Sequence, residues 1–124
     1  MKVAISAAGR TLDAAVDPRF GRCRVLVLVE TDDMRFETVD NENNSLGGGA
    51  GIQTAQLLAH RGVKAVLTGS CGPNAHQTLS AAGIEVFVGS SGTVSDVVAG
   101  FKAGQLQPAA APNVDSHPGM GRGR

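Results

Sequence analysis

The chain of 124 residues has no tryptophan or tyrosine and only four phenylalanines. Its core must therefore be built from Val, Ile, Leu and Ala, and the 17 glycines favour close packing of helices against a sheet. Two cysteines, Cys23 and Cys71, are too few for a disulfide framework. The sequence shows neither a signal peptide nor a long apolar run, so it predicts a cytoplasmic protein without a membrane span.

An excess of one charge is also missing. Eleven basic and eleven acidic residues leave a formal net charge of zero. A neutral chain has no overall field that would attract nucleic acid or a membrane, so any electrostatic specificity must be local. The length suits one domain with a single core.

Apolar patterning predicts five strands and three helices in a fixed order. The strands are expected at residues 3–5, 25–29, 35–39, 65–67 and 84–88, and the second and third form a hairpin. Helices follow the third, fourth and fifth strands and end at Gly62, Gly83 and Gly104. Residues 105–124 contain three prolines and few apolar residues, which indicates a flexible tail.

This order predicts an α/β fold with a mixed sheet between helices. Right-handed crossovers make the first, third, fourth and fifth strands end at one edge, where the second strand begins. The loop that carries Arg19, Arg22 and Arg24 is expected over this edge, whereas Asp32 and Asp33 lie at the opposite one. A chain without net charge would then be basic at one edge and acidic at the other.

Three small-residue loops, 47–51, 70–74 and 90–93, lead from these strand ends into the helices. A helix N-terminus offers unsatisfied N–H groups and the positive end of the helix dipole, so three of them together would hold a large anion. Ligands of open α/β sheets bind at this edge. The residues predicted to line the pocket are Arg19, Phe20, Gly21, Arg22, Gly48, Gly49, Gly51, Cys71, Gly72, Pro73, Asn74, Ser91, Gly92 and Thr93.

The DPRFGR motif at 17–22, the GGGAGIQTA segment at 47–55 and the GSCGPNA segment at 69–75 resemble the dinitrogenase iron-molybdenum cofactor binding family. The resemblance runs from residue 1 to about residue 103. It implies a three-layer α/β/α domain with the ribonuclease H-like motif and a mixed five-stranded sheet at 1–104, followed by the tail at 105–124. The chain is expected to be a free-standing single domain, and in this respect it resembles the orange-protein type of the family more than a nitrogenase cofactor carrier.

The resemblance also implies a function, which is to bind an anionic metal–sulfur cluster without catalysis, as a carrier, store or assembly scaffold. The expected ligand is a molybdenum–copper sulfide cluster, an iron-molybdenum cofactor or a thiomolybdate, exchanged with a donor or recipient protein. The planar guanidinium groups of Arg19 and Arg22 suit oxo and sulfido anions. A buried Phe20 would fix their direction, and Asp17 is expected to orient the loop.

Two interpretations of Cys71 remain open. It packs as a small buried thiol, or it donates a thiolate to a metal, because a helix N-terminus lowers the pKa of a thiol. Cys23 is predicted to fill the core. His76 and His117 are further candidate metal ligands, although His76 is expected to be exposed, and Met120 stands near His117 in the tail.

Other functional classes lack their residues. A ribonuclease H-like nuclease needs carboxylates on the first strand to hold two Mg²⁺ ions, and residues 2–6 contain none. The P-loop lysine is missing after Gly51, and the GxGxxG fingerprint is absent. The sequence thus argues against an enzyme. The alternative is a protein–protein interaction module with a vestigial or small-anion-binding pocket.

Overall fold

The computed structural model describes residues 1–41, 50–106 and 108. The predicted strands and helices are confirmed, and the strand bounds differ from prediction by at most two residues. The strands are β1 (Lys2–Ala7), β2 (Val25–Glu30), β3 (Phe36–Asp40), β4 (Ala65–Leu67) and β5 (Glu85–Phe87). The helices are α1 (Ala50–His60), α2 (Pro73–Ala81) and α3 (Val94–Lys102).

The five strands form one mixed sheet in the order β3-β2-β1-β4-β5. The central strand β1 runs antiparallel to β2 and parallel to β4, and β4 runs parallel to β5. Because β2 and β3 are antiparallel, β1, β3, β4 and β5 all end at the edge where β2 begins. We call it the carboxyl edge. The sequence predicts this arrangement correctly.

Helices cover both faces of the sheet. Alternate residues of β1 and β2 point to opposite sides, so Ala4 and Leu26 pack with α1 and α2, whereas Ile5 and Val27 pack with α3. The two resulting clusters consist almost entirely of aliphatic side chains, as the composition requires. This arrangement confirms the α/β/α class with a mixed five-stranded sheet.

Two helices bury polar side chains that their apolar patterns do not predict. Ala59 of α1 and Ala82 after α2 are exposed, although the helical spacing of the apolar residues predicts that both face the core. Thr54 and His76 are buried instead. Thr54 tolerates burial because its hydroxyl donates a hydrogen bond to the side-chain oxygen of Asn41.

The edge opposite the carboxyl edge has mixed charge. Asp33 pairs with Arg35 at 2.8 Å, and the carboxylate of Glu37 lies 3.5 Å from both Lys2 and Arg61. The prediction of an acidic edge is therefore wrong, because basic side chains from β1, from the β2–β3 turn and from the residue after α1 neutralise its carboxylates.

Ordered packing continues past Gly104 into the first residues of the predicted tail. The amide of Gln105 donates to the carbonyl of Gly100 at 2.9 Å, Leu106 packs against the α3 cluster, and Pro108 forms an antiparallel bridge with Phe87. Within the described ranges, no helix has the length and apolar character needed to cross a membrane.

Candidate functional site

The first half of the DPRFGR loop is joined by its backbone to the loop after β4. The amide of Ser70 donates to the carbonyl of Pro18 at 2.7 Å, and the amide of Phe20 donates to the carbonyl of Ser70 at 3.2 Å. Gly69 is required at this crossing, since a Cβ there would lie 2.7 Å from Pro18 Cα. The pairing holds Arg19 beside the end of β4, at the carboxyl edge.

Asp17 orients this loop, as the sequence predicts. Its buried side chain accepts a hydrogen bond from the Arg19 amide at 3.0 Å, and the same oxygen lies 3.5 Å from Arg19 Nε. The Asp17 carbonyl accepts a bond from the buried hydroxyl of Ser6 at 2.6 Å, which in turn lies 2.7 Å from the hydroxyl of Thr68. This network ties the arginine loop to the ends of β1 and β4.

Buried residues of the same loop hold its two arginines in position. Phe20 is 7% exposed and belongs to the core cluster that contains Cys71, as expected for an anchor rather than a surface contact. Gly21 is buried with a φ of 89°, a conformation that a side chain would strain. Arg19 and Arg22 remain exposed, and Arg22 makes no ion pair within the part of the chain that the structure describes.

The N-terminus of α2 is open to a ligand. Its N-cap, Gly72, provides no side-chain cap, Pro73 occupies the first turn, and that turn contains no acidic residue. Gly72 has φ −73° and ψ 172°, which any residue adopts, and a Cβ there would meet nothing within 4 Å. Neither backbone geometry nor packing of the described residues requires glycine here, so the position leaves room for a ligand.

The N-terminus of α3 differs from the prediction of a third open terminus. Its first two amides, from Val94 and Ser95, donate to the carbonyls of Ala14 and Leu12 at 2.9 and 2.8 Å. Thr93 and Asp96 form a reciprocal capping box. These groups are already used inside the protein, so α3 offers no ready anion site.

The loop before α3 still contributes a buried polar group. Ser90 is 7% exposed, and its hydroxyl has no hydrogen-bond partner among the described residues. The carbonyl of Gly92, which has a φ of 100°, accepts from the amide of Val16 at 2.9 Å. Ligand contact by Ser91, Gly92 and Thr93 stays a prediction.

The glycine segment before α1 is only partly described. Gly51 lies against α2, and a Cβ there would come within 2.9 Å of Ala75 Cβ, so its clear role is close packing of α1 on α2. Contact of Gly51 with a ligand stays a prediction. The predicted site residues Gly48, Gly49 and His117, and the nearby Met120, lie outside the described residues.

Both cysteines are buried thiols. Burial raises the pKa of Cys71 to about 11, and burial together with the charge of Asp17 raises the pKa of Cys23 to about 11. The expectation of a lowered pKa at Cys71 is wrong, because loss of hydration outweighs the helix N-terminus at a residue 1% exposed. Both thiols are protonated at neutral pH, and direct ligation by Cys71 stays a prediction.

These raised pKa values predict lower stability in alkali. Below pH 9 the thiols are protonated in both the folded and unfolded states; above it the unfolded thiols ionise first, so stability falls until the folded thiols ionise near pH 11. We expect a loss of about 2–3 kcal/mol per thiol. Urea unfolding between pH 8 and pH 11 measures it. Cys71→Ala should show a visibly smaller loss than wild type, and equal losses would contradict the burial of an ionisable Cys71.

His76 is 8% exposed, so the expectation of exposure is wrong. It lines a groove of about 430 Å³ with residues of α2, β5 and Pro108. No cluster of three or more His, Cys, Asp or Glu side chains within residues 1–41, 50–106 and 108 could hold a metal ion. Metal binding by His76 stays a prediction.

Asn41 is a functional candidate that sequence reasoning missed. Its side-chain amide donates to the carbonyls of Gly21 and Cys23 at 3.1 and 3.0 Å, and its oxygen accepts from Thr54 at 3.0 Å. One side chain, 3% exposed, thus joins β3, the arginine loop and α1. The available signal was an asparagine placed directly after a strand that ends at the carboxyl edge.

Asn41→Ala should lower the free energy of unfolding by about 3 kcal/mol, because it leaves three buried polar groups without their partner. Thr54→Val removes only one of these bonds and should cost about 1 kcal/mol. Urea unfolding followed by circular dichroism compares the two variants. Equal losses would show that the contacts of Asn41 with the arginine loop contribute nothing.

Comparison with known proteins decides the family. The sequence profile of the dinitrogenase iron-molybdenum cofactor family matches residues 1–104. The chain belongs to this family. Family membership and the structural neighbours described below indicate that the protein binds a cofactor.

Among proteins of known structure, the chain is similar to the apo form of the orange protein from Desulfovibrio gigas. The two share 45% identity over 91% of this chain and 96% of that one, with a TM-score of 0.89. A NifB-like protein of the DUF35 family from Thermotoga shares 30% identity over 92% of this chain and 97% of its own, with a TM-score of 0.81. An uncharacterized protein from Methanocaldococcus jannaschii is 27% identical over 74% of this chain and 80% of its own length.

Proposed function

We propose that the protein binds an anionic, molybdenum-containing metal–sulfur cluster at the carboxyl edge and carries, stores or helps to assemble it in the cytoplasm. The ligand would be a molybdenum–copper sulfide cluster, an iron-molybdenum cofactor or a thiomolybdate. Residues 1–104 would form the binding domain and 105–124 a tail whose first residues pack against it, and a donor or recipient protein would exchange the cluster. Membership of a cofactor family and the similarity to the orange protein support it.

The observation that carries the proposal is the open N-terminus of α2 beside the fixed arginine loop. Gly72 leaves the helix without a side-chain cap, and the bonds between Pro18 and Ser70 keep Arg19 at the same edge. Helix amides and guanidinium groups both donate hydrogen bonds to anions. A bulky cluster can approach the backbone closely at Gly72, where no described atom lies within 4 Å of a Cβ position.

The cluster would be held mainly by charge and hydrogen bonds. Cys71 is protonated near neutral pH, so ligation by its sulfur would require removal of a proton from a buried thiol. A cluster that arrives complete, with its own sulfide ligands, does not need that step. Arg19 and Arg22 would neutralise its charge, and the buried hydroxyl of Ser90 offers a further donor at the same edge.

The proposed role is non-catalytic. Three of the described carboxylates near the carboxyl edge have structural partners: Asp17 accepts from Arg19, Asp40 pairs with Arg10, and Asp96 caps α3. None is placed as a general acid or base beside an activated nucleophile, the arrangement that acid–base catalysis needs. Binding and release are the activities that this set of residues supports.

An anaerobic titration of the purified full chain with tetrathiomolybdate, with and without Cu(I), tests the proposal. After desalting, we expect metal in stoichiometric amount by elemental analysis and absorption bands distinct from those of the free anion. If all metal is lost while the protein remains folded, the cluster-binding role is wrong, and a protein–protein interaction module becomes the better explanation.

A further inference from the structure

A second cleft lies at the other half of the carboxyl edge, where β1 and β3 end and β2 begins. It has a volume of about 310 Å³, and its lining includes Gly9, Arg10, Arg24, Asp40 and Asn41. None of these residues belongs to the set predicted to bind the cluster, which lies on the DPRFGR loop and on the loops leading into the three helices. Among the described residues, the lining of this cleft is therefore distinct from the predicted cluster-binding set.

Backbone pairing fixes the walls of this cleft. Val25 pairs with Ala7 on one side and with Asp40 on the other, so three strand ends lie in register. The residues next to this pair are also hydrogen-bonded, because the amide of Asn41 donates to the carbonyl of Arg24 at 3.0 Å. With Val25 5% exposed and Asn41 3% exposed, the lining includes two well-buried residues. A cleft with such walls can bind a ligand with little rearrangement.

The charges in the cleft are unequal. The Arg10 guanidinium is paired with the Asp40 carboxylate, and about half of each side chain is exposed. Arg24 is exposed and forms no ion pair with any described residue. Two guanidinium groups and one carboxylate leave one positive charge, which would attract a small anion. Guanidinium groups match oxygen anions well, because their N–H donors lie in one plane and bind two oxygens together.

We propose that this cleft is a second anion site, selective for a small tetrahedral dianion held between Arg10 and Arg24. Phosphate, sulfate and molybdate share this charge and shape. The site does not depend on the proposed cluster site. Asp40 competes with the ligand for Arg10, so the site binds more weakly than two unpaired arginines would.

Titration of the full, ¹⁵N-labelled chain with sodium phosphate, sodium sulfate and sodium molybdate in separate series tests this site. Sodium chloride keeps the ionic strength constant, so that general screening does not change. We expect saturable shifts of the amide signals of Gly9, Val25 and Asn41 with at least one anion. The order of the three dissociation constants then identifies the preferred one.

Two variants should change the affinity in opposite directions. Arg24→Gln should weaken binding by about tenfold, because it removes the unpaired guanidinium, and Asp40→Asn should tighten it by about threefold, because it removes the competing charge. Arg35→Gln, at the opposite edge, is the matched control and should bind as wild type does. The amide spectrum of each variant verifies its fold.

Three results would overturn the proposal. Shifts that rise linearly without saturation for all three anions would show no site. Equal affinity of wild type and Arg24→Gln would show that Arg24 does not hold the ligand. Weaker binding by a folded Asp40→Asn variant would show that the carboxylate supports the ligand rather than competing with it.

Discussion

Gly69→Ala should lower the free energy of unfolding by about 3 kcal/mol and abolish retention of a thiomolybdate cluster. The new Cβ would lie 2.7 Å from Pro18 Cα and 2.9 Å from the Pro18 carbonyl oxygen. Overpacking against backbone costs about 1–3 kcal/mol, and relief of this clash would break the bond between the Ser70 amide and Pro18 at 2.7 Å. Urea unfolding and metal analysis after desalting measure the two effects.

Gly72→Ala is the matched control in the same loop. A Cβ there has no described neighbour within 4 Å, and the backbone conformation suits alanine, so stability should stay within about 0.5 kcal/mol of wild type. Cluster affinity should nevertheless fall, because the methyl group occupies space that the ligand needs. If Gly69→Ala were as stable as Gly72→Ala, the contact between the two loops would not contribute to the fold. Full affinity in Gly72→Ala would exclude close approach of the ligand at this residue.

The double variant Arg19→Gln/Arg22→Gln should reduce affinity for the proposed cluster by about a hundredfold, or about tenfold for each guanidinium group. A hydrogen bond to a charged group contributes about 1.5–3 kcal/mol, and the lower value applies because the Arg19 side chain is 64% exposed. The residual binding should depend less on salt, since two positive charges are gone. Anaerobic titration at two salt concentrations measures both quantities.

Arg61→Gln provides the control for this pair. Arg61 lies after α1 and interacts with Glu37 at the opposite edge of the sheet, so its loss changes net charge without touching the proposed site. We expect its affinity to equal that of wild type. A similar fall in the Arg61 variant would mean that overall charge, rather than placed guanidinium groups, governs binding. Unchanged affinity in the double variant would remove the electrostatic basis of the proposal.

The fold was predictable from sequence because its signals are local and periodic. Short apolar runs that are buried on both faces define β1 and β2, and helical spacing of Val94, Val97 and Val98 defines the buried face of α3. Handedness of the crossovers then determines which strand ends meet. The shared edge, with Arg19 over it, follows from these rules.

The hydrogen bonding and protonation of individual groups at that edge were less predictable. The amides of α3 bond to Leu12 and Ala14, more than 70 residues away in a segment without regular structure, and no pattern marks such a partner. The pKa of Cys71 depends on how much water the whole fold excludes, whereas the sequence shows only its place before a helix. Asn41 was missed for a related reason, since its three bonds involve the arginine loop and α1.

The contacts of the loop at 12–20 also determine at which stage of folding the carboxyl edge is formed. The loop's partners are remote in sequence: the hydroxyl and amide of Ser70 donate to the Pro18 carbonyl across 52 residues, and the amide of Val94 in α3 donates to the carbonyl of Ala14. Closing such long loops follows formation of the segments that they contact. During synthesis the arginine loop therefore has no docking surface until β4 has emerged, and no complete one until α3 has. The carboxyl edge is complete only when α3 has folded, so the proposed cluster could be loaded only onto a chain whose domain is already whole.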